Sequence, residues 1–197
     1  MDKILDFLVG IIERNDSINE DEKEEIRYGL ELILLKALFW CLVTATGIIM
    51  RCFWECVIYN LMFFLLRSYA GGYHASTRTR CLIQSVITVI IALTAIKICR
   101  ESICGIIILA VIALVCGISV WIFAPVDTKN RQLDNDEIRR FRNRARITLA
   151  IQAAIGIAAY CIGLKTIACA AMTAIATSGV LVLAEHLKKY DNGGIYE

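Results

Sequence analysis

Proline is almost missing from this sequence: Pro125 is the only one, and histidine occurs just twice, as His74 and His186. With so little proline, almost nothing interrupts a helix once it has started. No long polar stretch marks a separate soluble domain. No cleavable signal peptide is visible either, because the first 29 residues are highly charged and lack a long apolar core. Net charge is nearly absent, at +2, so the distribution of charge carries more information than its sum. What the chain has instead is apolar mass. Of its 197 residues, 58% are hydrophobic, and the mean hydropathy is +0.63. No soluble domain of this size needs that much apolar surface.

The apolar residues fall into runs at roughly 31–50, 52–66, 81–98, 103–124, 147–163 and 166–184. A membrane-spanning helix needs about 20 mostly apolar residues. The run at 103–124 is the clearest, with no charged side chain from Ile103 to Ala124. The run at 52–66 is short and carries Glu55 and Asn60, so it reads as tilted, broken or re-entrant. The expected fold class is therefore all-α: one polytopic helical membrane domain over 1–197 with about six transmembrane segments. Ahead of them, Ile4, Leu5, Leu8, Ile11 and Ile12 follow helical spacing and predict a short amphipathic helix on the membrane surface. Ser17 and Glu20 have the spacing of a capping box for the next helix, which is expected to run through Tyr28, Gly29, Leu30 and Glu31 into the first span.

Lysine and arginine sort by loop. With the N-terminus inside, 16 basic residues fall in the segment 1–29, the 67–80 loop, the 125–146 loop and the tail, against four outside (Arg51, Lys97, Arg100 and Lys165). Such a bias orients a membrane protein. It predicts both termini and the 67–80 loop on the cytoplasmic side. Within or beside spans, Glu31, Lys36, Glu55 and Asn60 are costly in lipid. Each either fixes helix packing through an ion pair or hydrogen bond or lines a substrate cavity. Most of the nine cysteines lie in apolar runs and read as small packing residues. Cys52 and Cys56 are four apart, but no matching pair elsewhere completes a metal site. Small residues crowd the last two spans, from Ala150 to Gly179, and permit close helix contact or self-association.

Two polar segments carry the chemistry. In the 125–146 loop, Asp134 to Glu137 can cap a helix bearing Arg139, Arg140, Arg142, Arg144 and Arg146. That helix suits lipid headgroups or an acidic peptide. The 67–80 loop contains Gly71, Gly72 and His74, and Cys81 follows at the mouth of the third span. A thiol with a histidine base is the minimum kit for covalent cysteine catalysis. On one continuous helix, His74 and Cys81 would lie about 10 Å apart along the axis, so a break at Gly71-Gly72 and the Ser/Thr-rich run after it is needed to bring them together. The positive end of the following helix, with Arg78 and Arg80, favours a thiolate at Cys81. His186 reads as an interfacial residue in the tail.

The stretch Arg67…Tyr69-Ala70-Gly71-Gly72-Tyr73-His74-Ala75…Cys81 resembles the accessory gene regulator B (AgrB) family of membrane endopeptidases that mature quorum-sensing peptides. Tyr28-Gly29-Leu30-Glu31 and Ala124-Pro125-Val126-Asp127 resemble it too, although a second proline common in that later loop is missing here. The resemblance implies a precursor peptide of the AgrD type as substrate, with Cys81 as nucleophile and His74 as base. It implies supporting roles for Glu31, Arg67, Gly71, Gly72, Arg78, Arg139 and Arg140, in lining the site, stabilising the oxyanion or holding an acidic tail. It implies a homodimer in a bacterial plasma membrane among its lipids, and no cofactor, metal or nucleic-acid partner. Two other classes remain open on the residues: a transporter of the signal peptide, for which no thiol is needed, and a non-catalytic membrane scaffold.

Overall fold

The computed structural model describes residues 5–7, 9–10, 19–71, 78–126 and 134–191. Its six long helices are α1 (Glu20–Ile49), α2 (Phe53–Ala70), α3 (Arg78–Arg100), α4 (Ile103–Phe123), α5 (Asn135–Cys161) and α6 (Lys165–Asp191). The chain divides into two compact units, Met1–Val43 and Thr44–Glu197.

In the first unit, residues 5–7 and 9–10 are helical, as the amphipathic spacing predicts, and Leu5 and Val9 are buried on one face. Arg27 pairs with Asp6 at 3.1 Å. The start of α1 is capped two residues later than the sequence pattern suggests. Asn19 precedes the helix, and its backbone N–H donates to the Glu22 carboxylate at 3.1 Å, which is the returning half of a capping box. Ser17 lies outside the described residues.

The second unit holds the helix bundle. α6 is its centre and packs against α2, α3, α4 and α5. Within its apolar stretch 61% of residues are buried, against 28% for α4 and 22% for α3. The small residues make this possible. A Cβ added to Gly179 would meet the Cys116 carbonyl oxygen at 2.3 Å, so α4 and α6 touch backbone to backbone. Large side chains stay exposed elsewhere on the bundle, including Ile103, Leu114, Ile118 and Trp121 on α4. An all-helical chain that leaves this much aliphatic surface uncovered is a membrane protein.

The expected six segments match the six long helices, but four of these are long and apolar enough to cross a membrane by themselves: α1, α3, α4 and α6. α2 falls short because its 18 residues include Glu55 and Arg67. It is a continuous helix rather than a broken or re-entrant one. α5 falls short because nearly half of it, through Arg146, is the basic segment. That segment was expected as a helix within a soluble 125–146 loop. Instead it is the start of α5 and runs unbroken into the fifth apolar run.

The turns at one end of the bundle are short. Two are Schellman caps: Cys52 N–H to Gly47 C=O (2.8 Å) with Arg51 at φ 55°, and Leu164 N–H to Ala159 C=O (2.8 Å) with Gly163 at φ 84°. Arg100 and Glu55 form an ion pair there, between α3 and α2. It assigns Glu55 to helix packing. Asn60 is likewise spent within α2, donating to the Cys56 carbonyl at 2.8 Å. The opposite end holds Cys81.

Candidate active site

Cys81 is the fourth residue of α3 and lies in its first turn, half-buried. The sequence reading has it start the third span. The helix in fact begins three residues earlier, at Arg78, and Cys81 stays among the N-terminal N–H groups. Its carbonyl accepts a hydrogen bond from Ser85 Oγ at 2.8 Å. His74 and Gly72 lie outside the described residues, as does the side chain of Arg78. Arg80 is exposed.

Arg67 stands in the last turn of α2, at the same end of the bundle as Cys81. Its guanidinium lies 5.9 Å from the centre of the Phe63 ring. Three groups that carry or can take negative charge lie within its electrostatic reach, in decreasing order the Cys81 thiol, the Tyr59 hydroxyl and the Glu185 carboxylate.

Glu185 was not singled out in the sequence. It belongs to α6, and its Oε2 is buried without a hydrogen-bond partner among the described residues. The signal was available: Glu185 is an acid that ends the apolar stretch Val180-Leu181-Val182-Leu183-Ala184, and ionisable groups at membrane depth are functional candidates by default. The next residue of α6, His186, packs on Phe123 with ring centroids 4.2 Å apart. His186 is thus on a helix in contact with α4 and not in a tail.

Gly71 closes α2. Its N–H donates to Arg67 C=O at 3.0 Å, and Val126 N–H donates to Ala70 C=O at 3.1 Å. Gly71 and Val126 pair as an isolated parallel bridge. Gly71 has φ +70°, and a Cβ there would stand 2.6 Å from the Val126 carbonyl oxygen. Both the conformation and the space require glycine. The two motifs Ala70-Gly71 and Ala124-Pro125-Val126, more than 50 residues apart in sequence, are therefore clamped together. In this arrangement the Gly71 N–H is occupied by Arg67 and is not offered to an oxyanion. Beneath the clamp, Leu66, Ala70, Val120, Ala124, Ala145, Leu149 and Val182 form one buried apolar cluster from four helices.

The basic start of α5 is tied to the same end by aromatic contacts. Tyr69 and Phe141 approach at 6.3 Å, and the Arg144 guanidinium lies 5.8 Å from the Tyr69 ring centre. Arg146 sits 4.8 Å from the Trp121 ring centre and donates to the Trp121 carbonyl through Nε (3.3 Å) and Nη2 (3.2 Å). Arg139 and Arg140 are exposed. Glu31, half-buried in α1, belongs to the first unit. Among the described residues no group of three His, Cys, Asp or Glu side chains is placed to hold a metal. Cys56, one of the pair weighed for that role, accepts from Asn60 Nδ2 at 3.4 Å.

The family model described as Accessory gene regulator B matches residues 5–183 of this chain. An AgrB-like protein of Listeria monocytogenes is 24% identical over 139 residues, covering 70% of this chain and 67% of its own. The accessory gene regulator protein B of Staphylococcus epidermidis is 26% identical over 140 residues, 71% of each chain. No solved structure matches.

Proposed function

The chain belongs to the accessory gene regulator B family, and from that membership we propose that it is a membrane cysteine endopeptidase that trims and cyclises a short signal-peptide precursor of the AgrD type. The observation that carries this reading is the half-buried Cys81 thiol in the first turn of α3, within electrostatic reach of the Arg67 cation. Neither a transporter nor a scaffold needs that arrangement.

Cys81 attacks the carbonyl that joins the signal segment to the C-terminal tail. His74 takes the thiol proton as the S–C bond forms. It then returns a proton to the leaving amine as the C–N bond breaks. The products are an acyl-enzyme thioester and the free tail. A Cys thiol or Ser hydroxyl inside the signal segment next attacks the thioester. This releases Cys81 and closes a thiolactone or lactone ring. Exchange of one thioester for another is close to isoenergetic, so proximity of the internal nucleophile suffices to close the ring. Water must be kept from the acyl-enzyme, and a site at the mouth of an apolar bundle serves that need. Gly72 is a candidate for approach to the oxyanion, and Gly71 holds the backbone ahead of it. Arg78 adds positive charge beside Cys81. Arg139 and Arg140 receive the acidic tail. For Glu31, unchanged activity in Glu31→Ala would remove the supporting role that the family resemblance implies. The charge bias supports a cytoplasmic site, and the family and the small-residue faces of the last two spans support a homodimer in the lipid.

The test is co-expression of the wild type or Cys81→Ala with the cognate precursor, followed by mass spectrometry. The expected result is tail release with loss of one water from the signal segment, in the wild type alone. Equal processing by a correctly inserted Cys81→Ala would overturn the reading.

A further inference from the structure

α4 and α5 do not close against each other along their whole length. Between them runs an apolar cavity of about 610 Å³, floored by Ala171, Met172 and Ile175 of α6. It extends along α4 from Ile106 to Trp121, about 22 Å of helix rise. That exceeds the half-thickness of a hydrocarbon core of about 30 Å, so the chain of a lipid from one leaflet can lie in it over its full depth. The wall holds one amide, Gln152. It is itself buried, and its Nε2 donates to the Met62 carbonyl at 2.6 Å. The rest of the wall offers little that a polypeptide could bond to.

The mouth has the opposite character. Trp121 ends the groove on α4, and Arg146 of α5 is stacked on it. Arg142 stands one turn before Arg146, exposed. Neither α4 nor α5 carries an acidic residue beyond Glu137. An apolar slot whose mouth carries two arginines, Arg142 and Arg146, is complementary to an anionic amphiphile at a membrane surface. We infer that the groove between α4 and α5 is a binding site for an anionic phospholipid, its acyl chain along Ile106–Trp121 and its headgroup at Arg142 and Arg146. The lipid would complete the wall between the two helices. The inference does not depend on the peptidase reading.

The test uses the full chain released from membranes containing equal phosphatidylglycerol and phosphatidylcholine, examined by native mass spectrometry. Ala110→Phe on α4 and Ala153→Phe on α5 fill the groove from exposed positions on either wall. The wild type is expected to retain phosphatidylglycerol in preference, each Phe variant to lose at least tenfold of that adduct, and R142A/R146A to lose the preference for the anionic lipid. Cross-linking of wild type with phosphatidylglycerol bearing a photoreactive chain needs no variant, and its expected sites are the groove walls of α4 and α5. No selective adduct on the wild type, undiminished adducts in folded Phe variants, or cross-links confined to other helices would each overturn the proposal. So would Phe variants that change only the oligomeric mass, which would make the groove a protein interface.

Discussion

The two ends of the bundle are built by different rules. At the Glu55 end, connections are two or three residues long, two of them are Schellman caps, and an ion pair joins α2 to α3. At the Cys81 end, the connections between α2 and α3 and between α4 and α5 are longer, and arginines are packed on aromatic rings. Glu185 Oε2 is buried there with no hydrogen-bond partner among the described residues. The first end spends its polar groups on staying closed. The second leaves polar and charged groups around a thiol. Under the proposed function the first end sets helix register and the second positions the chemistry.

The sharpest break in that comparison is Cys81→Ala. Tail release is expected to vanish, while detergent melting stays within about 0.5 kcal/mol of wild type, since the side chain is only half-buried. Gly71→Ala comes next. It forces a side chain into a φ of +70° and against the Val126 carbonyl, at a cost of about 1–3 kcal/mol. Since that clamp sets where the segment toward Cys81 begins, processing is expected to fall about tenfold or more, beyond what the lost stability explains. Wild-type processing and melting in Gly71→Ala would mean the clamp has no role in positioning.

Much of this was legible in the sequence, and unequally so. The helices follow apolar runs whose length is fixed by the bilayer, and all six lie where those runs lie. Cys81 near a helix start was legible because a polar, glycine-bearing segment meets an apolar one. Helix starts were less so: α5 begins well before its apolar run because nothing between Asn135 and Ile147 breaks a helix, and arginine is a good helix former. The pairing of Gly71 with Val126 was not legible, because no local pattern encodes contact between distant turns. Glu185 was missed for another reason. It looked like the first residue of a polar tail, and only the extension of α6 to Asp191 puts it in the bundle.

Glu55→Gln tests the closed end. The pair with Arg100 is partly buried, with side-chain exposures of 14% and 29%. Replacing a charge-assisted bond there is expected to cost about 1–3 kcal/mol, read as a lower melting point in detergent. Processing per folded molecule is expected to be unchanged. A loss of activity with unchanged melting would instead return Glu55 to the lining of a substrate cavity.

The smallest expected effect belongs to Arg139 and Arg140. Both are exposed, so their reversal to Glu is expected to leave stability within about 0.5 kcal/mol. Exposed ion pairs contribute at most about 1 kcal/mol each, so two lost contacts to an acidic tail would raise KM by about tenfold or somewhat more with kcat unchanged. The effect must shrink as salt rises, because contacts of this kind are screened over about 10 Å at 0.1 M ionic strength. It must also disappear for a precursor whose tail acids are replaced by their amides. An R139E/R140E variant with unchanged KM toward the acidic-tailed precursor at low salt would remove the tail from this surface and leave the start of α5 as a structural element anchored by Tyr69 and Trp121.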